Sequence, residues 1–368
     1  MPVSTHTPVD LDAARTRFAR DSGFYVQLQQ RVAAYFERTG CSRRGGLAMH
    51  LKTVVVMLAF ICTYLALVFF TLAWWQALPL AVLLGAITAG IGFNIQHDGG
   101  HRSYSSSAWG NRLAAMSLDL IGGSSFLWRH KHGVMHHTYT NISGMDSDID
   151  VGIVPRLAPT QPRSRLHRWQ HIYIWPLYGL MAIRWQLYSD FRELADGRIG
   201  GHPFPRPQTW EVLWFFLGKL GFLTIAFVVP LCFHPVWTVL LFYVVAAFTL
   251  GLLLSVVFQL AHCTGRVEFP VPHGGVLDHG WAEHQLRTTA NFPGRGWMTT
   301  WFLGGLDYQI EHHLFPNICH VHYPALAPIV KATCEEHGIA YRQHANFFSG
   351  LWAHACWMRR LGLPTHQV

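Results

Sequence analysis

Two long stretches of this 368-residue sequence contain almost no charged side chains. Residues 53–96 have no Lys, Arg, Asp or Glu, and residues 212–264 have only one, Lys219. A helix needs about 20 apolar residues to cross the hydrocarbon core of a bilayer, so each stretch is long enough for two crossings. The lack of charge argues against an ordinary soluble protein and predicts an all-α integral membrane protein.

Cysteine motifs and a signal peptide are also missing. The seven cysteines include no CxxC pair, which favours reduced structural thiols over a metal or redox site. Residues 1–12 are polar and lack the apolar core of a signal peptide, so we expect them to be disordered. The net charge of +8 comes from residues beside the apolar stretches, which is typical of positive-inside bias and argues against nucleic-acid binding.

The apolar stretches divide at aromatic or proline-containing turns, Trp74–Pro79 and Phe233–Val236. Spans are predicted at 53–74, 78–96, 212–232 and 237–261, and Lys219 is near enough to an interface to snorkel. Both turns are uncharged, and every Lys or Arg outside the spans lies at the other end of the spans. Both termini and all large loops are therefore expected in the cytoplasm. This divides the chain into an N-terminal region (1–52), a first hairpin (53–96), a catalytic segment (97–211), a second hairpin (212–261) and a second catalytic segment (262–368).

Three further helices are predicted outside the spans. Residues 13–38 carry apolar residues at helical spacing, beginning at Phe24, and either lie on the membrane surface or pack on the catalytic segments, with packing favoured. Segments 111–128 and 171–189 are predicted to be interfacial helices, the second broken by Pro176. A crossing by 171–189 stays open and would separate the second and third histidine motifs described next.

Histidine is abundant, with 24 residues, and three motifs present it at helical spacing. We call them the first box (His97–His101, HDGGH), the second box (His132–His137, HGVMHH) and the third box (Gln309–Pro316, QIEHHLFP). Positions three or four apart lie on one helix face, so each box offers clustered donors. His262 ends the fourth predicted span as His97 ends the second, so all of these residues are expected on one membrane side.

Neutral imidazole is the commonest protein ligand for transition metals. The candidate ligands are His97, His101, His132, His136, His137, His262, His312, His313 and Gln309. Eight imidazoles exceed what one tetrahedral zinc ion uses, which favours two metal ions. Asp98 and Glu311 are expected to accept hydrogen bonds from these imidazoles, and His284 to line the site or bind metal.

The alternating residues Asp146, Asp148 and Asp150 are similar to the start of a calcium-binding loop. Val151 stands where such a loop requires glycine, and Leu157 stands where it requires glutamate. Calcium binding is therefore not expected here.

The three boxes resemble those of membrane fatty-acid desaturases. Gln309 in place of a first histidine is similar to the front-end branch of this family, which adds a double bond between an existing one and the carboxyl end. Three flanking motifs also resemble that branch: HHTYTN (136–141), DSDIDVG (146–152) and WAEHQLRTTANF (281–292). The resemblance implies a fatty-acyl substrate, two iron ions, dioxygen as co-substrate and a histidine-caged site in a cytoplasmic helical cap. It also implies a multi-pass protein of a cell inner membrane or endoplasmic-reticulum-type membrane.

Many front-end enzymes carry a fused cytochrome-b5-like domain with an HPGG motif, which is missing from this sequence. Electrons are therefore expected from a separate donor, a ferredoxin or cytochrome-b5-like protein with its reductase. Acyl-CoA, acyl-carrier protein and intact lipid all stay open as substrates. Two other functions also stay open: a hydroxylase or ketolase with a similar site, and a metal transporter or sensor, although that would favour ligands inside the spans.

Overall fold

Four helices are long and apolar enough to cross a membrane: Gly46–Phe69, Trp74–Gly100, Thr209–Leu231 and Val236–His262. They are named the first to fourth spans below. The computed structural model describes residues 16–70, 73–294 and 296–364, which are mostly helical, with four two-residue strands and connecting loops. The predicted number of spans is thus confirmed within the described ranges, and residues 1–12 lie outside them.

The predicted turn between the first two spans was placed too late. The first span ends at Phe69, and Trp74–Pro79 forms the beginning of the second. Pro79 lies in the second turn of that helix. It lacks the N–H that would have donated to the carbonyl of Trp75, an exposed residue at the start of the helix. The turn at Phe233–Val236 is confirmed, because the third span ends at Leu231 and the fourth begins at Val236.

Lys219 does not snorkel to the membrane surface. Its Nζ lies 2.8 Å from Asp190 Oδ2, both side chains are buried, and Nζ also donates to the carbonyl of Gly122 at 2.7 Å. The pattern of the third span could not reveal this, because Asp190 belongs to a different helix. A buried charge needs such a partner, so the pair joins the third span to the helices beside it.

The second span continues without a break into the first box. Its last turns widen into a π-helix at Ile91–Gln96 and then continue as His97–Gly100. A second π-helix, Lys131–His136, contains most of the second box and leads into His137–Tyr139. π-Helical turns shift the side-chain phase and are frequent at functional sites. Here both lie at the histidine boxes.

The N-terminal helix begins at Phe24, not at residue 13. Gly23 precedes it with a φ of +90°, a conformation that favours glycine, and Arg17–Phe18 instead forms a parallel strand pair with Val276–Leu277. The predicted apolar stripe is buried, as expected. It packs on the helices Trp281–Thr288 and Gln309–Leu314, so the preference for packing on the catalytic segments is confirmed.

The two predicted interfacial helices also differ from expectation. Segment 111–128 is divided among Ala108–Ala115, Ser117–Leu120 and Ser125–His130, because the chain turns at Gly122–Gly123 and Ser124 caps the last helix. Pro176 does not break 171–189, since it lies in an early turn of a helix that runs from 170 to 196. That helix packs along the fourth span and is not among the four candidate spans.

The remaining elements are one irregular turn in the third span, a short hairpin and several further helices. The third span includes a π-helical turn at Thr224–Val228 followed by Val229–Leu231. A short hairpin pairs Arg198–Ile199 with His202–Pro203. The other helices are Leu166–Trp169, Trp297–Phe302, His320–His322, Tyr323–Glu336 and Phe347–Gly362.

Candidate metal centre

The fold brings all eight candidate histidines together. They come from the three boxes and from the end of the fourth span, and seven of them are buried, with His101 partly exposed. One group contains His97, His101, His132 and His312, and a second contains His136, His262 and His313. We call these the His97 group and the His136 group. Within each, one ring nitrogen per residue lies within 4.8 Å of the others.

His137 connects the two groups. Its Nε2 lies 3.3 Å from Nε2 of His132 in the His97 group. Its ring also stacks on that of His313 in the His136 group, with centroids 4.5 Å apart, and the two residues cluster with His312. The eight imidazoles therefore form one continuous cluster with two centres.

Each imidazole of the His136 group has its Nδ1 next to an oxygen acceptor. His136 Nδ1 lies 3.1 Å from both carboxylate oxygens of Asp146. His262 Nδ1 lies 3.2 Å from the carbonyl oxygen of Thr288, and His313 Nδ1 lies 2.9 Å from Gln285 Oε1. When Nδ1–H donates a hydrogen bond to oxygen, the lone pair of Nε2 stays free to bind a metal ion. Metal-bound histidines have this arrangement.

The His97 group is bordered mainly by rings, and the oxygens near its ring nitrogens lie farther away: the Tyr323 hydroxyl is 3.4 Å from His312 Nδ1 and Asp148 Oδ2 is 3.8 Å from His132 Nδ1. The Trp128 ring stacks on His132 at 4.6 Å and packs edge-on against His97 and His101. Trp128 lies in Ser125–His130, and nothing in its local sequence marked it as part of the site. It closes one side of this group with an apolar surface.

Burial and crowding keep most of these imidazoles neutral. Burial lowers the pKa of His101 to about 3, and it lowers the pKa values of His132, His137, His312 and His313 well below the usual range, helped by the neighbouring imidazoles. Burial also opposes charge on His136, but the Asp146 carboxylate outweighs it and raises that pKa. Neutral imidazole is the form that binds a metal.

Several polar atoms of the site have no hydrogen-bond partner. Within the described residues these include Nε2 of His97, His101 and His312, Nδ1 of His137 and Nε2 of Gln309, all of them buried. Unpaired buried polar atoms are rare because each costs free energy. Three unpaired imidazole nitrogens in one group fit a metal ion, so the donor set suits the metal that the sequence predicts.

The structure directs the carboxylates of Asp98 and Glu311 to partners other than the eight candidate histidines. Asp98 Oδ2 lies 2.9 Å from His320 Nδ1, which is outside the cluster, and accepts from Cys319 Sγ at 2.9 Å. Glu311 accepts from Asn291 and Tyr341 at 2.8 and 2.9 Å. Consecutive residues of a helix point in different directions, so a carboxylate next to a histidine in sequence does not face it.

His284 lies outside both groups. It is buried, its ring packs edge-on against Phe18 at 5.3 Å, and it belongs to none of the metal-type clusters of the described residues. Burial lowers its pKa to about 4. The structure thus gives it a packing position beside the site and does not bring it to the candidate ligands.

Asp146 and Asn141 are the main residues that the sequence did not identify as part of the site. Asp146 is fully buried and accepts from the backbone N–H groups of Asn141 and Asp148 as well as from His136. Asn141 has a φ of +61°, and its Nδ2 donates to the carbonyl of His262 at 2.8 Å. The run of aspartates after the second box could have indicated Asp146. Its spacing was interpreted only as that of a calcium-binding loop that lacks the required glycine and glutamate.

Comparison with known proteins agrees with this geometry. Residues 72–345 match the family model described as fatty acid desaturase. An acyl-lipid (8-3)-desaturase of Physcomitrium patens is 38% identical over 354 residues, which cover 95% of this chain and 74% of that protein. An sn-1 linoleoyl-lipid 6-desaturase of Synechocystis is 37% identical, covering 96% and 99%, and one of Arthrospira platensis is 35% identical, covering 95% of each.

The chain therefore belongs to the fatty acid desaturase family, and the resemblance carried by the three boxes is confirmed. It is a membrane oxidoreductase that introduces double bonds into fatty-acyl chains.

Proposed function

We propose that this desaturase uses dioxygen and a di-iron centre to introduce a cis double bond into the acyl chain of an intact membrane lipid. The observation that carries the proposal is the cluster of eight imidazoles, seven in the two groups and His137 between them, in which three imidazoles have an unpaired Nε2. The His97 group would hold one ion and the His136 group the other, with His137 between them. Gln309 would be a further ligand through its amide oxygen.

The substrate explains why a metal is needed. Unactivated methylene C–H bonds have no useful acidity, so acid–base groups alone cannot remove their hydrogens. Iron would supply the activation of dioxygen, which with two electrons and two protons takes two hydrogens from the acyl chain and leaves as two waters. The chain's own residues orient the imidazoles through Asp146, Gln285 and the Thr288 carbonyl, and Trp128 keeps water from one side.

Two features support an intact lipid and a front-end position. The relatives are named acyl-lipid and linoleoyl-lipid desaturases, and the chain covers nearly all of the Synechocystis protein. Gln309 begins the third box in the pattern of the front-end branch. We therefore place the new double bond between an existing one and the carboxyl end.

We further propose that the cluster lies on the cytoplasmic side of the membrane. The segments that join the first span to the second and the third to the fourth contain no charged residue, and the basic residues outside the spans fall at the other end. Electrons would then come from a cytoplasmic ferredoxin or cytochrome-b5-like protein with its reductase. Reporter fusions after residues 150 and 235 test the topology, and an extracytoplasmic signal at 150 would contradict it.

The direct test of activity is expression in a host that contains linoleoyl lipids and lacks front-end desaturases. We expect gas chromatography with double-bond location to show a new cis bond on the carboxyl side of the existing one, mainly in intact lipids. A hydroxylated or keto product would show that the enzyme inserts oxygen, and it would contradict the proposed desaturation.

The metal content is tested on detergent-purified protein. We expect about two iron ions per chain. An active preparation with one zinc ion and no iron would overturn the di-iron assignment.

A further inference from the structure

Two separate segments of the cap contain no acidic residue. There is no Asp or Glu from Val151 to Ser189 and none after Glu336. Apart from Arg184, which donates to the carbonyl of Val151, the exposed basic residues of these segments are Arg163, Arg165, Arg168, Arg359 and Arg360. We call the surface that they form the arginine face. Among the described residues, none of these five side chains makes an ion pair, so their charge is not neutralised within the chain.

The two segments pack into one surface. Arg163 Nε donates to the carbonyl of Gly362 at 2.8 Å, and Gln170 Nε2 donates to the carbonyl of Met358 at 2.8 Å. The backbones approach so closely that a Cβ on Gly362 would lie 2.1 Å from the carbonyl oxygen of His167. Residues 163–170 and the end of the helix Phe347–Gly362 are therefore held side by side.

Large apolar side chains are interleaved with the arginines. Trp169 is 55% exposed, and Leu166 beside it is 51% exposed. On the helix Phe347–Gly362, Phe348 and Trp352 are more than 70% exposed and share a side with Arg359, because the spacing of four and seven residues follows the helix. Basic residues mixed with exposed aromatics are typical of surfaces at the headgroup level of a membrane.

The position of this surface also favours a membrane. The helix that starts at Gln170 packs along the fourth span, with Gly179 against Phe248, so the arginine face lies where that span emerges. On the other segment, His354 Nδ1 lies 2.7 Å from the carbonyl of Cys263, the residue after the fourth span ends. The face is therefore at the same end of the bundle as the histidine cluster.

We propose that the arginine face binds the phosphate groups of anionic membrane lipids, with Trp169 and Trp352 inserted among the headgroups. This surface would hold the cap against the leaflet from which a lipid substrate is taken. The leaflet's identity rests on the cytoplasmic topology of the proposed function, whereas the lipid chemistry rests only on the arginines and their surroundings. An acidic protein is the competing partner, and the exposed aromatics beside a span favour the lipid.

The test measures lipid binding by the full chain in detergent, using native mass spectrometry with phosphatidylglycerol and with phosphatidylcholine. We expect the wild type to bind phosphatidylglycerol more tightly and to lose that preference at high salt, because salt screens exposed charges. Each basic residue near an anionic surface contributes about 1 kcal/mol, about a fivefold change in affinity. A variant with Arg165→Gln, Arg168→Gln and Arg359→Gln should bind phosphatidylglycerol at least tenfold more weakly.

The matched control removes three exposed arginines from other parts of the cap: Arg20→Gln, Arg38→Gln and Arg266→Gln. It loses the same charge and should bind within about twofold of the wild type, since screening limits distant charges. If the triple variant does not fold, Arg168→Gln and Arg359→Gln are measured singly, with about a fivefold loss expected for each.

Three results would overturn the proposal. They are equal binding of both lipids by the wild type, equal losses in the two triple variants, and binding of soluble polyglutamate as tight as that of phosphatidylglycerol, which would point to an acidic protein. Binding is measured without turnover or iron. A failure here is therefore distinguishable from a failure of the proposed function, which concerns the product and the metal.

Discussion

The His136 group and the His97 group use the same side chain but are held in different ways. In the His136 group, each Nδ1 lies within 3.2 Å of an oxygen from Asp146, Gln285 or Thr288. In the His97 group, the only oxygen within hydrogen-bond distance of a ring nitrogen, among the described residues, is the Tyr323 hydroxyl, 3.4 Å from His312 Nδ1. The Trp128 ring contacts three of the four imidazoles of this group.

This difference has a chemical meaning. A hydrogen bond at Nδ1 fixes the tautomer and the ring orientation and makes Nε2 a stronger donor to a metal. The His136 group has these features before any metal binds, and Asp146 adds a negative charge beside it. The His97 group has unpaired nitrogens and an apolar wall, so its geometry should depend more on the metal itself. We infer that the two groups differ in affinity, with the His136 group binding more tightly.

The largest effect should follow removal of a ligand from the His136 group. We expect His262→Ala to abolish the desaturated product and to lower bound iron, because it deletes the imidazole at the end of the fourth span and leaves a cavity. Product is measured by gas chromatography and iron by plasma mass spectrometry. His273→Ala, which removes an exposed histidine from the 263–280 loop, is the control and should change neither. Near-normal desaturation in His262→Ala would demote His262 to packing.

The next largest effect should come from Asp146. Asp146→Ala leaves His136 without its acceptor and unpairs two backbone N–H groups, so we expect iron affinity to fall by about 10–100-fold. Iron retained during a chelator titration is the measurement. Asp146→Asn keeps an acceptor oxygen and should lose less.

Asp148→Ala is the matched control for Asp146. Its carboxylate is partly exposed and lies 3.7 Å from His136 Nδ1 and 3.8 Å from His132 Nδ1, too far from either for a hydrogen bond. A loss in Asp148→Ala as large as that in Asp146→Ala would mean that negative charge near the group matters more than orientation of the ring.

The sequence predicted the features that depend on local spacing. Four spans followed from the uncharged stretches, and the boxes followed from positions three to five apart, because both signals lie within a single helix. His262 was found in the same way, by comparison of two span ends. The residues that orient the rings could not be found so easily. Asp146 reaches His136 only because the chain reverses at Asn141, and Gln285 reaches His313 from another helix.

Adjacency in sequence was also a misleading guide to contact. Asp98 and Glu311 stand next to box histidines, but helix geometry turns each away toward other partners. Lys219 shows the same limit, because its partner Asp190 lies 29 positions away. Tertiary packing decides such pairs, and a single sequence carries no direct record of it.

A moderate effect is expected for Gln285. Its Oε1 lies 2.9 Å from His313 Nδ1 and also accepts from Thr140 Oγ1 at 3.0 Å. Gln285→Leu removes that oxygen at similar volume, so we expect about a tenfold loss of iron affinity with the cluster otherwise intact. Chelator titration again measures it, with Gln343→Leu at an exposed position as the control. An unchanged affinity would show that His313 is oriented by packing alone.

The smallest effect should follow Tyr323→Phe, and this variant tests the comparison most directly. Tyr323 is buried and, in the described residues, its hydroxyl is the only oxygen within hydrogen-bond distance of a ring nitrogen of the His97 group, but 3.4 Å is a long hydrogen bond. Phenylalanine keeps the packing, so iron affinity should change by less than about threefold, below the 10–100-fold range of strong orienting contacts. A loss as large as that of Asp146→Ala would mean that both groups depend equally on an orienting oxygen, and the proposed difference between them would be wrong.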